Sequence, residues 1–566
     1  MNPATDSVLR TSRTPIRGIR ALSRSAAAAV LLIASVAAAP LDLDAQTTRA
    51  DRAREGPYER LVIANAMVIP GHGGPAYGPA DIVIEDSTIV EINAYNGVTG
   101  RPDDAPVPEG DRVIDASGMY VMPGLVDLHT HVRSEPLPLQ YVYDLKLAHG
   151  VTTMVNGAGR GWEEALRQQR LSASNEITAP RMYPIRDWGP SRSRNPGGEP
   201  PADEIAPWHD PGQAPELARR IVGEGEAHVV RIGSLAFDRE LFGAVADAVR
   251  EAGGVTTVHL PPSDLAVVDA VTAAELGVTM IEHHYGYAES ALGETVQAFP
   301  GDYNYMNELS LFRQAGEVWG EARDEVLFGE VAERLAESGV AMAPTMSTYE
   351  VNRDVNRAMG LPWHESLTHR QLIEWYYPSP EHHAAYHWDW TSGDEATWAQ
   401  TYRKWGRLMR EFQERGGNLS YATDDPWLWN TSGVANVREL QLMRQAGIGA
   451  LEVIRAATYN SARTLRRPDL GLVQVGKTAD LAIVDGNPLH NLRYLYAFGA
   501  LTRSDGEIRR TGGIRWTIKA GTVFDNAALM QEVVDMVAES KEGWESPVDS
   551  LFAPRFGDAQ AEDGTD

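Results

Sequence analysis

PGLVDLHTH, residues 123–131, carries two histidines two apart at the end of an apolar run. In an extended strand residues i and i+2 face the same side, so the imidazoles of His129 and His131 can reach one metal ion. A lone pair of this kind is weak evidence. Three further short β-type runs carry a ligand type at or near their ends: TTVHL has His259, TMIEH has His283 and NLSYATD has Asp424. Working outward, LVDLH, TTMVN, RMYPI, HVVRI, TTVHL, TMIEH, VAMAPT and NLSYATD make eight such runs. They alternate with amphipathic helical stretches such as EALRQQRLSA and RELFGAVADAVREAG. That rhythm predicts an α/β fold, a TIM-like (β/α)8 barrel over 122–465, and barrel sites collect at the C-terminal ends of several strands. Four imidazoles and one carboxylate suit zinc, and ligand type alone also admits manganese, iron, cobalt or nickel.

On either side the rhythm changes. LVIANAMVIP, DIVIEDSTIVEI and RVIDASGMYV, and later ADLAIVDGNP and GEIRRTGGIRWTIKAGTVFD, are short alternating runs broken by Gly, Pro and Asp. They predict that residues 58–121 and 466–525 pair into a composite β-sandwich. Residues 286–338 and 350–417 are longer than an ordinary βα connection and rich in aromatic residues, so they predict a lid or pocket wall; the alternative is a homo-oligomer interface. Residues 526–566 are expected to be a tail. Residues 1–45 read as a signal peptide: five arginines from Arg10 to Arg24, an apolar run Ala26–Ala39 too short to span a bilayer, then Leu-Asp-Ala ending at Ala45. The mature chain is expected in the periplasm or outside the cell, without a stable membrane anchor. A net charge of −27 argues against nucleic-acid partners. With no cysteine, metal sites must be built from histidine and carboxylate.

The order and spacing of PGLVDLHTH, the single His259, the EH at 282–283, the TD at 423–424 and the closing GLVQVGKTADLAIVDGNP resemble the amidohydrolase superfamily. The nearer likeness is to its branch of imidazolonepropionases and exported Xaa-Pro dipeptidase-like enzymes, across roughly 61–525. The resemblance implies the same barrel with a composite sandwich. One departure stands out. Two-metal members carry a carboxylated lysine on the fourth strand, where this chain has Arg231, and a guanidinium opposes a second cation. The expectation is therefore one zinc-type ion held by His129, His131, His259 and Asp424, with His283 completing the shell or standing beside the water. Two ions would require another carboxylate, Glu282 or Asp425, as a bridge.

Such an ion makes water acidic enough to attack a carbonyl near neutral pH. Asp424 is expected to move the proton, His283 to help polarise the carbonyl, and Arg231 either to clamp a substrate carboxylate or to form a structural ion pair. His284 is a candidate substrate contact, and His382–His383 with Trp375, Tyr376, Tyr377, Trp388 and Trp390 lie in the long insertion. The predicted reaction is hydrolysis of a C–N bond in a small molecule or short peptide, a dipeptide or N-acyl amino acid. Rival readings are ring opening of a cyclic amide or lactone, deamination, and an inactive barrel that only binds. GLVQVGKT (471–478) matches a phosphate-loop pattern but precedes a strand, not a helix, and is set aside.

Overall fold

The computed structural model describes residues 53–550, apart from 103, 133–136, 158–160, 190–201, 234–237, 294–298 and 384. The proposed signal segment lies outside the described residues. At the centre is an eight-stranded parallel sheet in strict chain order: Leu125–His131, Val151–Gly157, Arg181–Asp187, Val229–Ile232, Val255–Val258, Met280–Glu282, Ala341–Ala343 and Asn418–Leu419. All eight expected runs are present. Their alternation divides the residues between two faces. Met154, Met182, Val230, Ile232, Val258, Ile281 and Met342 join the large core that also takes in the helices. Val126, Leu128, Val155, Tyr183, Ile185, Val229, Val255, Met280, Ala341 and Ala422 form a smaller core to which every strand, or the segment continuing it, contributes.

That shared core requires a sheet curled until its edges approach. The first strand does meet the segment after the eighth: Leu128 N–H donates to Tyr421 C=O, Asp424 N–H to His129 C=O and His131 N–H to Asp425 C=O, at 2.7–3.0 Å. These bonds draw the two histidines and Asp424 together.

The flanking segments pair as expected, within one sheet of nine strands. Its order is Arg54–Glu55, Thr522–Asp525, Gly513–Lys519, Leu481–Asp485, Met119–Pro123, Arg60–Val68, Tyr77–Glu85 and Thr88–Ala94, with Arg112–Asp115 alongside Arg60–Val68. The junction between N- and C-terminal parts is the antiparallel pair Met119–Pro123 with Leu481–Asp485. The two flanking segments thus share one composite sheet, where a sandwich was expected. Residues 471–478 precede the strand Leu481–Asp485 with no helix between, and Lys477 donates to the Pro468 carbonyl, so the phosphate-loop match is structural.

One boundary is corrected. Residues 526–540, expected as tail, form the helix Asn526–Ser540. Asp525 caps its first N–H groups, and Leu529, Val533 and Val537, spaced by four, bury one stripe. The long insertions are also folded, containing the helices Glu308–Glu321 and Ser392–Glu414. The second opens on a capping box made by Thr391 and Asp394. Among the described residues no helix is long and apolar enough to cross a membrane.

Candidate metal centre

The C-terminal ends of the central strands supply the site. His129 Nε2 and His131 Nε2 lie 3.1 and 2.9 Å from the same oxygen, Oδ1 of Asp424. On its other side, His129 Nδ1 lies 3.0 Å from Glu282 Oε1. His283 stands farther off, with Nδ1 3.8 Å from Asp424 Oδ2 and Nε2 3.8 Å from Glu282 Oε2. The four imidazoles are contiguous: ring centres are 5.2 Å apart for His129–His131, 5.1 Å for His129–His283 and 4.7 Å for His259–His283. Among the described residues, His129, His131 and Asp424 form one group with metal-ligand spacing, and His129, Glu282 and His283 another. His259, expected as a direct ligand, is in neither group and joins the cluster through the ring of His283.

Backbone strain marks the same places. His283, Thr345 and Asp424 follow the sixth, seventh and eighth strands with φ of +67°, +54° and +54°. Left-handed backbone is costly for such residues and is retained where packing over-determines it. The turn at His283 aims its ring at the cluster, and Thr345 Oγ1 shares a 2.8 Å hydrogen bond with His283 Nδ1, fixing that ring's orientation.

The electrostatics favour a cation. Burial opposes charge on His129, yet the carboxylates of Glu282 and Asp424 outweigh it and lift the imidazolium to about 10. Asp424 is held well below the carboxylate range: burial works against this, but His129 and His131 prevail. His259 and His283 are pushed down to about 4 and about 3, chiefly by burial, so their nitrogens are neutral ligand types. The donor set fits a metal ion. Two imidazole nitrogens converge on one carboxylate oxygen, and two buried atoms beside them, His129 Nδ1 and Glu282 Oε2, have no hydrogen-bond partner of their own.

Directly behind the ligands lies a second charged cluster. Lys146 Nζ donates to Asp127 Oδ2 at 2.8 Å, Asp425 Oδ1 at 2.6 Å and Thr423 Oγ1 at 3.3 Å, all fully buried. Asp127 Oδ1 also accepts from the backbone of His129 and Thr423, and its Oδ2 accepts from Asn436. Asp425 is thus engaged through Oδ1 with Lys146 and Thr130, and it belongs to neither group with metal-ligand spacing.

His284 and Arg231 have surroundings of their own. His284 is buried and faces away from the ligands, its ring 4.0 Å from Tyr285, 4.7 Å from Tyr349 and 5.2 Å from Trp398. The left-handed turn at His283 precedes this aromatic packing, and His284 is in neither group with metal-ligand spacing. Arg231 pairs with Asp187, its neighbour on the third strand, with Nε 2.7 Å from Oδ1. Its charged form is opposed by burial but favoured by Asp187 and, more weakly, by the charges of Glu282 and Asp424. Glu282, considered in advance only as a bridge, and Thr345 and Lys146, not singled out at all, complete the environment.

The Amidohydrolase family model matches residues 406–523, which include Asp424 and the closing composite strands. Over that stretch the chain is similar to the Amidohydrolase family. Over 138 residues it is 30% identical to an N-acyl-D-aspartate deacylase of Alcaligenes xylosoxydans xylosoxydans, covering 23% of this chain and 24% of that protein. The chain spans about a quarter or less of the length of the curated relatives it matches. Among solved structures, a bottromycin amidohydrolase covers 89% of this chain and 96% of its own (TM-score 0.60, 17% identity). A Xaa-Pro dipeptidase with bound methionine in its active site covers 82% and 100% (TM-score 0.52, 19% identity). At such identities the likeness speaks for the fold, and the chain's own residues must speak for its chemistry.

Proposed function

We propose that this chain is an exported amidohydrolase with one zinc-type ion that hydrolyses a C–N bond, in a dipeptide or N-acyl amino acid, at the mouth of a closed (β/α)8 barrel beside a composite sandwich. The observation that carries the reading is the convergence of His129 Nε2 and His131 Nε2 on Asp424 Oδ1. His129, His131 and Asp424 would hold the ion, with His283 closing the shell and His259 behind it. When bound, the ion supplies Lewis acidity to water and to the substrate carbonyl.

The side chains divide the remaining work. Asp424 is the carboxylate placed to take a proton from the attacking water and return it to the leaving nitrogen. Glu282 faces His129 Nδ1 and would hold the ring in the tautomer that leaves Nε2 free to ligate. A neutral imidazole offers one lone pair, so His129 cannot serve its Nε2 group and the Glu282 group as a ligand at once. This favours a single ion. Arg231, tied to Asp187 and exposed over about a third of its side chain, would receive a substrate carboxylate.

The test is a panel of dipeptides, N-acyl amino acids, cyclic amides and aminopurines, assayed on chelator-treated protein before and after divalent zinc is returned. The expected result is metal-restored release of an amine from linear amides. Turnover confined to ring opening or deamination, or persisting at full rate without metal, would overturn the reading.

A further inference from the structure

The ligand cluster is enclosed unequally. The side chains of His129 and His283 are each 3% exposed and that of Asp424 7%, against 31% for His131. Approach therefore runs over His131. The indole of Trp427 stands there, its ring centre 5.7 Å from that of His131 and tilted by 29°, a stacked arrangement. Trp375 packs edge-on to Trp427 at 4.6 Å, and His383 does so at 4.6 Å. Trp427 follows Asp424 by three residues, whereas Trp375, on the helix Arg370–Tyr376, and His383 belong to the long insertion. His383 also contacts Glu308, which opens the helix Glu308–Glu321, so the two insertions meet at this point. Three rings from two parts of the chain are gathered beside His131, the most exposed of the three residues proposed to hold the ion.

Flat aromatic surface at a partly wet edge is stabilised most by a second ring stacked or edged against it, and little by a small polar group. Arg231 ends the fourth strand, half-way round the sheet from the eighth strand that leads to Trp427. A linear amide spanning the cluster with its carboxylate towards Arg231 puts its acyl group against Trp427. We propose that Trp427, backed by Trp375 and His383, is the specificity wall of this site, and that it selects substrates whose acyl group carries an aromatic ring. The inference names the substrate class and rests on the amide-hydrolase reading above.

The experiment compares phenylacetylglycine with acetylglycine on metal-loaded wild type, W427A and W427F. Wild type is expected to prefer the aromatic acyl group by about tenfold or more in kcat/KM, the scale of a stacked ring contact. In W427A the ratio should collapse towards one through KM for phenylacetylglycine, and W427F should keep most of it. A ratio unchanged in W427A, or absent in wild type, would overturn the proposal. Calorimetric binding of phenylacetate against acetate to the same metal-loaded proteins separates the two claims. Ring-selective binding that depends on Trp427, without turnover of any amide, sinks the hydrolase reading and keeps the wall. Amide turnover with no ring preference in either assay does the reverse.

Discussion

Asp127 and Asp425 lie against Lys146; Asp424, one residue along the same segment, lies against imidazoles. Both clusters are buried and both are built by the first strand and the segment beyond the eighth. In the first, the protein supplies the cation, and almost every lone pair of the carboxylates is taken by Lys146, Thr130, Thr423, Asn436 or a backbone N–H. In the second, Asp424 meets imidazole rings, Glu282 meets His129 and accepts from the Thr257 hydroxyl, and Glu282 Oε2 is left without a hydrogen bond. A buried carboxylate needs a compensating charge. The rear cluster carries its own cation, Lys146, whereas the front one has a donor set that fits a metal ion, with the rear cluster as the frame that fixes the spacing of those donors.

The largest effect should come from breaking the frame. Lys146→Met leaves two carboxylates buried without their cation and is expected to lower unfolding stability by about 3–5 kcal/mol, read as a shifted urea midpoint; an unshifted midpoint would mean that the frame is no support. A smaller effect is expected at the front. Glu282→Gln keeps the shape but weakens the acceptor facing His129 Nδ1, and should reduce metal affinity by about 10–100-fold, measured by chelator competition. An affinity reduced to nothing would instead make Glu282 a direct ligand. The mildest test sharpens the contrast by acid. His149, His364 and His387, none of them a member of the front cluster, are pushed chiefly by burial down to about 4, about 4 and about 3. Each takes up its proton in the unfolded chain near its ordinary value, about 6.5, and in the folded chain only well below it. Their share of stability is present above that value and is lost as the pH falls towards 4. Urea midpoints of metal-free protein should therefore fall steadily between pH 7 and pH 4.5. A flat profile would contradict the neutral, buried state of these rings.

The architecture was legible because its signal is local. Each central strand is a short apolar run between helical stretches, and a chemistry-bearing residue at a strand end needs no knowledge of distant partners. His129, His131, His283 and Asp424 could be picked out in this way. What escaped depends on pairing across the chain. Lys146 sits in an otherwise ordinary helix, Leu139–Ala148, and only its burial against Asp127 and Asp425 gives it a role. A lysine inside the run LQYVYDLKLA was the available hint. His284 was singled out only because it follows His283, and adjacency in the chain does not tell which way a side chain faces beyond a left-handed residue. The helix Asn526–Ser540 was readable from the Asp525 cap and the four-residue spacing of Leu529, Val533 and Val537, signals hidden by the acidic stretch that follows.

Metal content per chain, by elemental analysis of protein purified without chelator and compared with His129→Ala, tests the central claim most directly. One equivalent in the parent, falling to near zero in the variant, is the result expected of a single ion held by His129, His131 and Asp424. Two equivalents, or one that survives loss of His129, would contradict it and return Glu282 to the role of a ligand.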